Sequence, residues 1–231
     1  MKICTIVAAA GESRRLPGNG GKLLQMVGKR PLLYYTLTNL LKLDCNNNIL
    51  VVIPKGAMKK FQAELFQPFL SAQSFMTVEG GDTRQESIAK GVAAVPEDTT
   101  HLLIHDGARP WFSKSLFKRI VAKLKKNAAV IPVLACTDTI KVCDDSGYIS
   151  NTPARDTLFR AQTPQGFQVD LYRKALKEAT KVNYKATDDA SLLEFIGQKV
   201  ATVPGETSNL KITHPIDLEF FKWRIEKDGR E

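Results

Sequence analysis

The chain has 231 residues, is 43% hydrophobic and 25% charged, and carries a formal charge of +9. That length suits one large domain with a real core, and the ordinary composition excludes disordered and fibrous classes. No apolar run approaches the roughly 20 residues that span a bilayer, and the four cysteines form no C-x-x-C pair, which argues against a zinc module or a disulfide scaffold.

The three histidines, His101, His105 and His214, are too dispersed for a His-rich metal site. The positive excess makes nucleic-acid binding a first guess. The charges are spread along the chain, however, apart from short runs such as Lys123, Lys125 and Lys126. A polyanionic small substrate accounts for them equally well.

Strand-like and helix-like patterns alternate from the start. The run Ile3–Ala10 is apolar and β-branched, too short for a signal peptide, and reads as a first strand; a cytoplasmic protein is the default expectation. Pro31 opens a helical pattern at the first-turn position that proline favours, carrying Leu32, Leu33, Tyr35, Leu37, Leu40 and Leu41. A second strand is expected over Ile49–Ile53, a helix after Asp82 with Ser87, Ile88, Gly91, Val92 and Val95, and a third strand over His101–His105. Ser113 is a good N-cap for a helix carrying Leu116, Phe117, Ile120, Val121 and Leu124, followed by a strand over Ala128–Ala135. Near-continuous apolar strands between amphipathic helices predict an α/β fold of three layers, with a mostly parallel sheet covered on both faces.

From Cys136 to about Arg160 the rhythm changes. Cys136–Val142 alternates at period two, Asp144-Asp145-Ser146-Gly147 reads as a turn, and Tyr148-Ile149 resumes, which predicts a protruding hairpin arm. Its exposed edges would need covering by a partner. Helical patterns return at Asp170–Thr180 and Asp188–Phe195, strand-like ones at Lys199–Val203 and Asn209–Thr213, and a last helix opens at His214-Pro215. No repeat or linker divides the chain, so a single domain, 1–231, is expected, with the arm at about 136–160 as an excursion.

Three segments carry candidate chemistry. Ala8-Ala9-Ala10-Gly11-Glu12-Ser13-Arg14-Arg15 follows the first strand, where small residues admit a ligand close to backbone and the arginines offer an anion cradle. It reads equally as an ordinary strand-to-helix turn with surface arginines, and it is neither a dinucleotide fingerprint nor a Walker loop. Gly80-Gly81-Asp82-Thr83-Arg84-Gln85-Glu86-Ser87 could present backbone and a hydroxyl to a base edge, or be a plain Asp-capped helix start. In His105-Asp106-Gly107-Ala108-Arg109-Pro110, Asp106 emerges at a strand end, well placed to help hold Mg²⁺ beside a phosphate; the alternative is an Asp turn paired with Arg109.

These segments occur in order with Lys22, Arg160-Ala161-Gln162-Thr163-Pro164-Gln165, Thr187-Asp188-Asp189-Ala190-Ser191 and Asn209-Leu210-Lys211-Ile212-Thr213. Together they closely resemble the 2-C-methyl-D-erythritol 4-phosphate cytidylyltransferases, over essentially the whole chain. The resemblance implies a Rossmann-like nucleotidyltransferase of non-mevalonate isoprenoid biosynthesis that moves CMP from CTP onto 2-C-methyl-D-erythritol 4-phosphate with Mg²⁺ and releases pyrophosphate. It implies that Arg15 and Lys22 stabilise the transition state, and that Arg155 and Lys211 orient the attacking phosphate. Ala8, Ala9, Ala10, Gly11, Gly81, Asp82, Ser87 and Gly107 would line the CTP site with Arg15 and Lys22. Asp106 would be the metal-side carboxylate of that site, and Arg109, Thr139, Thr163, Thr187 and Asp188 would join Arg155 and Lys211 on the sugar-phosphate side. A homodimer is implied, its 136–160 arm passing Arg155 into the partner's site, with no nucleic-acid or membrane partner. Ribitol-5-phosphate cytidylyltransferases share the fold and most of the cation positions and are the nearest alternative; a basic nucleic-acid-binding module is the alternative from another class.

Overall fold

The computed structural model describes residues 1–11, 21–43, 48–71 and 75–228. An eight-stranded mixed sheet runs through the centre. The first strand, Ile3–Ala8, lies in its middle, parallel to Asn48–Ile53 on one side and to His101–Asp106 on the other. Met76–Glu79 adds a further parallel strand at the edge. The middles of the central strands are largely apolar because helices cover both faces, and buried polar groups such as His105 and Asp106 stand at the carboxyl end of His101–Asp106.

Beyond His101–Asp106 the direction alternates. Gln165–Gln168 pairs antiparallel with both His101–Asp106 and Ala129–Ala135, and Phe159–Ala161 continues antiparallel along Ala129–Ala135. Ala201–Pro204 runs parallel on the other side of that strand. The core is accordingly split by the sheet. One half packs Leu33, Leu37, Leu116, Ile120, Phe221 and Ile225 against it, and the other packs Ile88, Val92, Tyr172, Ala175 and Leu193.

The helices begin where local chemistry dictates. Ser113 accepts from the Leu116 amide at 2.9 Å and starts Lys114–Leu124. Asp188 accepts from the Ser191 amide at 2.9 Å and starts Asp189–Phe195. His214 precedes Pro215, the first residue of the last helix. Two starts differ from the expectation. Pro31 is itself the N-cap of Leu32–Leu41, one residue before the first turn. The Arg84–Ala93 helix is capped by Thr83 rather than Asp82, in a reciprocal box with Glu86, an arrangement that contributes about 1 kcal/mol.

Other elements depart further. Asn209–Thr213 is not a strand, because its backbone serves other groups: the Asn209 carbonyl accepts from Arg109 and Gln162, and the Ile212 carbonyl from Lys22. The helical stretch Met58–Leu70, absent from the sequence reading, includes a π-helical turn over Gln62–Phe66. That wider turn brings Phe61, Leu65, Phe66 and Leu70 to one side at a spacing no regular helix shows. In the arm, Val142–Cys143 pairs antiparallel with Ile149–Asn151, a shorter ladder than Cys136–Val142 suggested. The turn is as expected. Asp144 Oδ1 accepts from the Ser146 and Tyr148 amides, and Gly147 takes φ 84°, where a side chain would be strained.

Candidate functional site

Three loops meet at the carboxyl ends of the central strands, the usual place for a ligand in such a sheet. The Ala8 carbonyl accepts from the Gly107 amide at 3.0 Å, and the Ala9 amide donates to Val52 at 2.8 Å. On the other side, a Cβ at Gly80 would stand 2.7 Å from the Ala10 Cβ and 2.6 Å from Ser87 Oγ. Only glycine lets the second loop lie against the first. Ser87 Oγ accepts from the Gly81 amide at 3.1 Å and donates to the Thr83 carbonyl at 2.8 Å, so this buried hydroxyl shapes the loop Gly81–Thr83. Asp82, in that loop, is exposed, and its amide donates to Glu86 at 2.9 Å.

The third loop is fixed from below. The Asp106 amide donates to Thr163 Oγ1 at 3.0 Å, and that hydroxyl lies 3.0 Å from His105 Nδ1. His105 Nε2 lies 3.0 Å from the Arg109 carbonyl, which can only accept, so the proton is on Nε2 and Thr163 donates to Nδ1. Burial pushes the imidazole down to about 4, which keeps it neutral and the chain of donors intact at pH 7.

Asp106 itself gathers cations. Its Oδ2 lies 3.0 Å from Lys211 Nζ and 3.2 Å from Arg109 Nε, and its Oδ1 lies 3.9 Å from Arg84 Nη2. Burial alone would raise the carboxyl; Lys211, Arg109 and Arg84 instead hold it well below the usual carboxylate range. Lys211 arrives on the extended segment that the Ile212 amide ties to the Ala108 carbonyl at 2.9 Å. Lys22 donates to the Ile212 carbonyl at 2.6 Å, which brings its ammonium beside the same segment. Arg109 also donates to the Asn209 carbonyl at 2.8 Å. A cavity of about 270 Å³ opens next to this cluster, lined by Arg109, Arg160, Gln162, Asn209 and Lys211 among others.

Thr187 is exposed beside the Asp188 cap, and Asp188 Oδ2 accepts from Gln165 at 2.9 Å. Gln85 ties that loop to the Arg84–Ala93 helix, accepting from the Ala186 amide at 3.0 Å and donating to the Tyr184 carbonyl at 3.2 Å. Arg155 and Thr139 are exposed on the arm, where Arg155 donates to the Thr137 carbonyl at 3.2 Å. Among the described residues no hydrogen bond or ion pair joins Arg155 to the Asp106 cluster within the chain. Arg15 lies outside the described residues.

Sequence reasoning gave no role to Arg84, Asp189, Tyr172 or Arg160. Arg84 pairs with the buried Asp189 at 2.5 Å, and the Tyr172 hydroxyl donates to Asp189 at 2.7 Å. Arg84 and Asp189 lie inside the runs that carry the resemblance, but they stand 105 positions apart, so the runs alone do not reveal the pairing; Arg160 lies in such a run too and lines the cavity beside the cluster.

Mg²⁺ fits this donor set. It commonly takes one or two carboxylates and completes its shell with substrate phosphates and water. Asp106 supplies one ionised carboxylate, whose Oδ1 makes no hydrogen bond among the described residues. Those residues place no group of three or more His, Cys, Asp or Glu to cage a metal.

The model of the 2-C-methyl-D-erythritol 4-phosphate cytidylyltransferase family matches residues 3–226. The chain belongs to that family. It is 41% identical to the enzyme so named from Prochlorococcus marinus, over 94% of this chain and 96% of the relative. The crystal structure of 4-diphosphocytidyl-2C-methyl-D-erythritol synthase from Anaerococcus prevotii superposes with a TM-score of 0.84 at 32% identity, covering 97% and 98% of the two chains. The cytidylyltransferase structure from Thermus thermophilus gives 0.79 at 31% identity, covering 98% and 100%. The fold is the family's α/β fold, and the chain is a nucleotidyltransferase.

Proposed function

We propose that this chain transfers CMP from CTP to 2-C-methyl-D-erythritol 4-phosphate in isoprenoid biosynthesis. Family membership gives the reaction class. The observation that carries the reading at residue level is the convergence of Arg84, Arg109 and Lys211 on Asp106, with Lys22 alongside. A phosphate oxygen of the acceptor attacks the α-phosphorus of CTP, the bond to the β-phosphate oxygen breaks, and pyrophosphate leaves with its electron pair. Two polyanions must be held together while charge spreads over the transferring group, work that fixed cations perform through position and field.

In this reading Lys22 and Arg15 face the triphosphate, while Lys211 and Arg155 orient the attacking phosphate. The backbone of Ala8, Ala9, Ala10 and Gly11, with Gly81, Asp82 and Ser87, surrounds the cytidine, and Gly107 borders it. Arg109, Thr139, Thr163, Thr187 and Asp188 lie on the polyol side. The buried positions of Thr163 and Ser87 support a part in shaping those walls. When bound, Mg²⁺ neutralises and orients the phosphates, and Asp106 would hold it.

A homodimer completes the reading. Tyr148 and Ile149 on the arm are 75% and 61% exposed, and Phe159 at its base is 56% exposed, an apolar surface suited to a second copy. The substrates are small water-soluble phosphates, and we place the enzyme in the cytoplasm; among the described residues no helix is long and apolar enough to cross a membrane.

Pyrophosphate release tests the assignment directly. CTP with methylerythritol phosphate should turn over, whereas ribitol 5-phosphate or ATP in place of either substrate should not. Comparable turnover with ribitol 5-phosphate would move the chain to that substrate, and comparable turnover with ATP would overturn the cytidine pocket.

A further inference from the structure

We propose that Asp189, steadied by Tyr172, is a positioning residue that holds Arg84 off Asp106. Two carboxylates compete for one guanidinium. Arg84 Nη2 lies 2.5 Å from Asp189 Oδ2 and 3.9 Å from Asp106 Oδ1. Asp189 is 1% exposed, and the Tyr172 hydroxyl donates to its other oxygen at 2.7 Å, so the carboxylate that wins is fixed in place from behind.

The balance matters because of what already surrounds Asp106. Lys211 and Arg109 make their nearest approach to Asp106 at Oδ2, whereas Arg84 makes its nearest approach at Oδ1. Without the Asp189 charge, Arg84 would have Asp106 as its nearest anion and a short charge-assisted pair as its best outcome. Both oxygens of Asp106 would then be bound to the protein's own cations. Asp189 therefore keeps Oδ1 free to serve the substrate-bound cation, a role that rests on the cytidylyltransferase reading of Asp106. The segment leading into the Asp189–Phe195 helix has a second attachment besides this ion pair, since Gln85 bonds both Tyr184 and Ala186.

The test uses Mn²⁺ as the cation, CTP present and the polyol absent, with free Mn²⁺ read by electron paramagnetic resonance. Asp189→Asn should weaken CTP-dependent Mn²⁺ binding about tenfold, in the range typical for loss of an outer-shell partner. Tyr172→Phe should weaken it less. The double variant Asp189→Asn/Arg84→Gln should bind within about twofold of Arg84→Gln alone, because no guanidinium remains to collapse onto Asp106. A merely structural Asp189 would add its loss to that of Arg84→Gln, and such additivity overturns the proposal. If the wild type shows no CTP-dependent Mn²⁺ binding, the metal reading of Asp106 fails by itself. The crystal structure of Asp189→Asn then decides: Arg84 should lie within hydrogen-bond distance of Asp106 Oδ1, and an unmoved Arg84 refutes the idea.

Discussion

Lys22 donates its ammonium hydrogen bond to the carbonyl of Ile212, across 190 positions of sequence and one residue beyond Lys211. Two lysines that we propose serve different substrates are thus brought to one short segment, where in that reading the attacking phosphate and the triphosphate meet. The contact is to a neutral carbonyl, which a developing negative charge can outbid. Lys22→Ala should therefore lower kcat by about 100-fold or more while changing the KM for CTP much less, as expected for a group that acts in the transition state. Steady-state kinetics at saturating polyol phosphate decide it. An effect confined to KM would reassign Lys22 to ground-state binding.

Gly80 offers a test of the nucleotide wall that leaves every charge in place. An alanine Cβ there would meet Ala10 and the Ser87 hydroxyl at 2.7 and 2.6 Å, distances that force the two loops apart. Gly80→Ala should fold, with a stability loss of about 1–3 kcal/mol typical of overpacking, and should weaken CTP binding at least about tenfold. Calorimetric titration with CTP measures this. Unchanged affinity would show that the Ala8–Gly11 and Gly80–Asp82 loops do not form one pocket.

His105 makes the site's scaffold sensitive to acid. Its folded value is pushed down to about 4 by burial, against an ordinary 6.5. Between those two pH values the unfolded chain binds a proton that the folded chain does not. Stability should therefore fall as the pH drops from about 6.5 to about 4, by about 3 kcal/mol in all, and this loss should level off below. The depressed Asp106 acts in the same direction in a lower window: its contribution is present above the ordinary carboxylate range and is lost as the pH falls below it. Proton resonances of the three histidines distinguish the groups. A His105 titrating near 6.5 would show that the imidazole is not locked between Thr163 and Arg109.

Much of this was legible in the sequence, and the rest was hidden for identifiable reasons. Ile3–Ala8, Asn48–Ile53 and His101–Asp106 read clearly because central parallel strands are buried on both sides and so carry short, mostly apolar runs. Met76–Glu79 is half-buried along its length at the sheet edge and shows neither alternation nor a fully apolar run. Gln165–Gln168 is short and polar at both ends, because Gln165 spends its side chain on Asp188 and Ala190. At the site, Asp106, Arg109 and Lys211 sit in recognisable runs, and the structure brings them together. The Arg84–Asp189 pair joins residues 105 apart, and Tyr172 looks like any core aromatic, so neither follows from spacing.

The arm poses the last question. Arg155 is exposed, and among the described residues its hydrogen bond goes to the arm's own Thr137 carbonyl, so the proposed shared-site role calls for a second copy. A guanidinium on a phosphate gives bidentate orientation that an ammonium cannot reproduce, and Arg155→Lys should therefore be strongly impaired. A mixing experiment shows whose site Arg155 enters. Arg155→Ala and Lys211→Ala homodimers should each be nearly inactive. In a heterodimer of the two, purified through different tags, a shared-site arrangement puts both lesions in one site and none in the other. Activity should return to about half of the wild-type value per dimer. If Arg155 serves its own subunit, each site of the heterodimer keeps one lesion and activity stays near zero. Tag recovery confirms that exchange has occurred, so silence in a verified heterodimer removes the shared-site arrangement and returns Arg155 to the surface of a solvent-exposed arm.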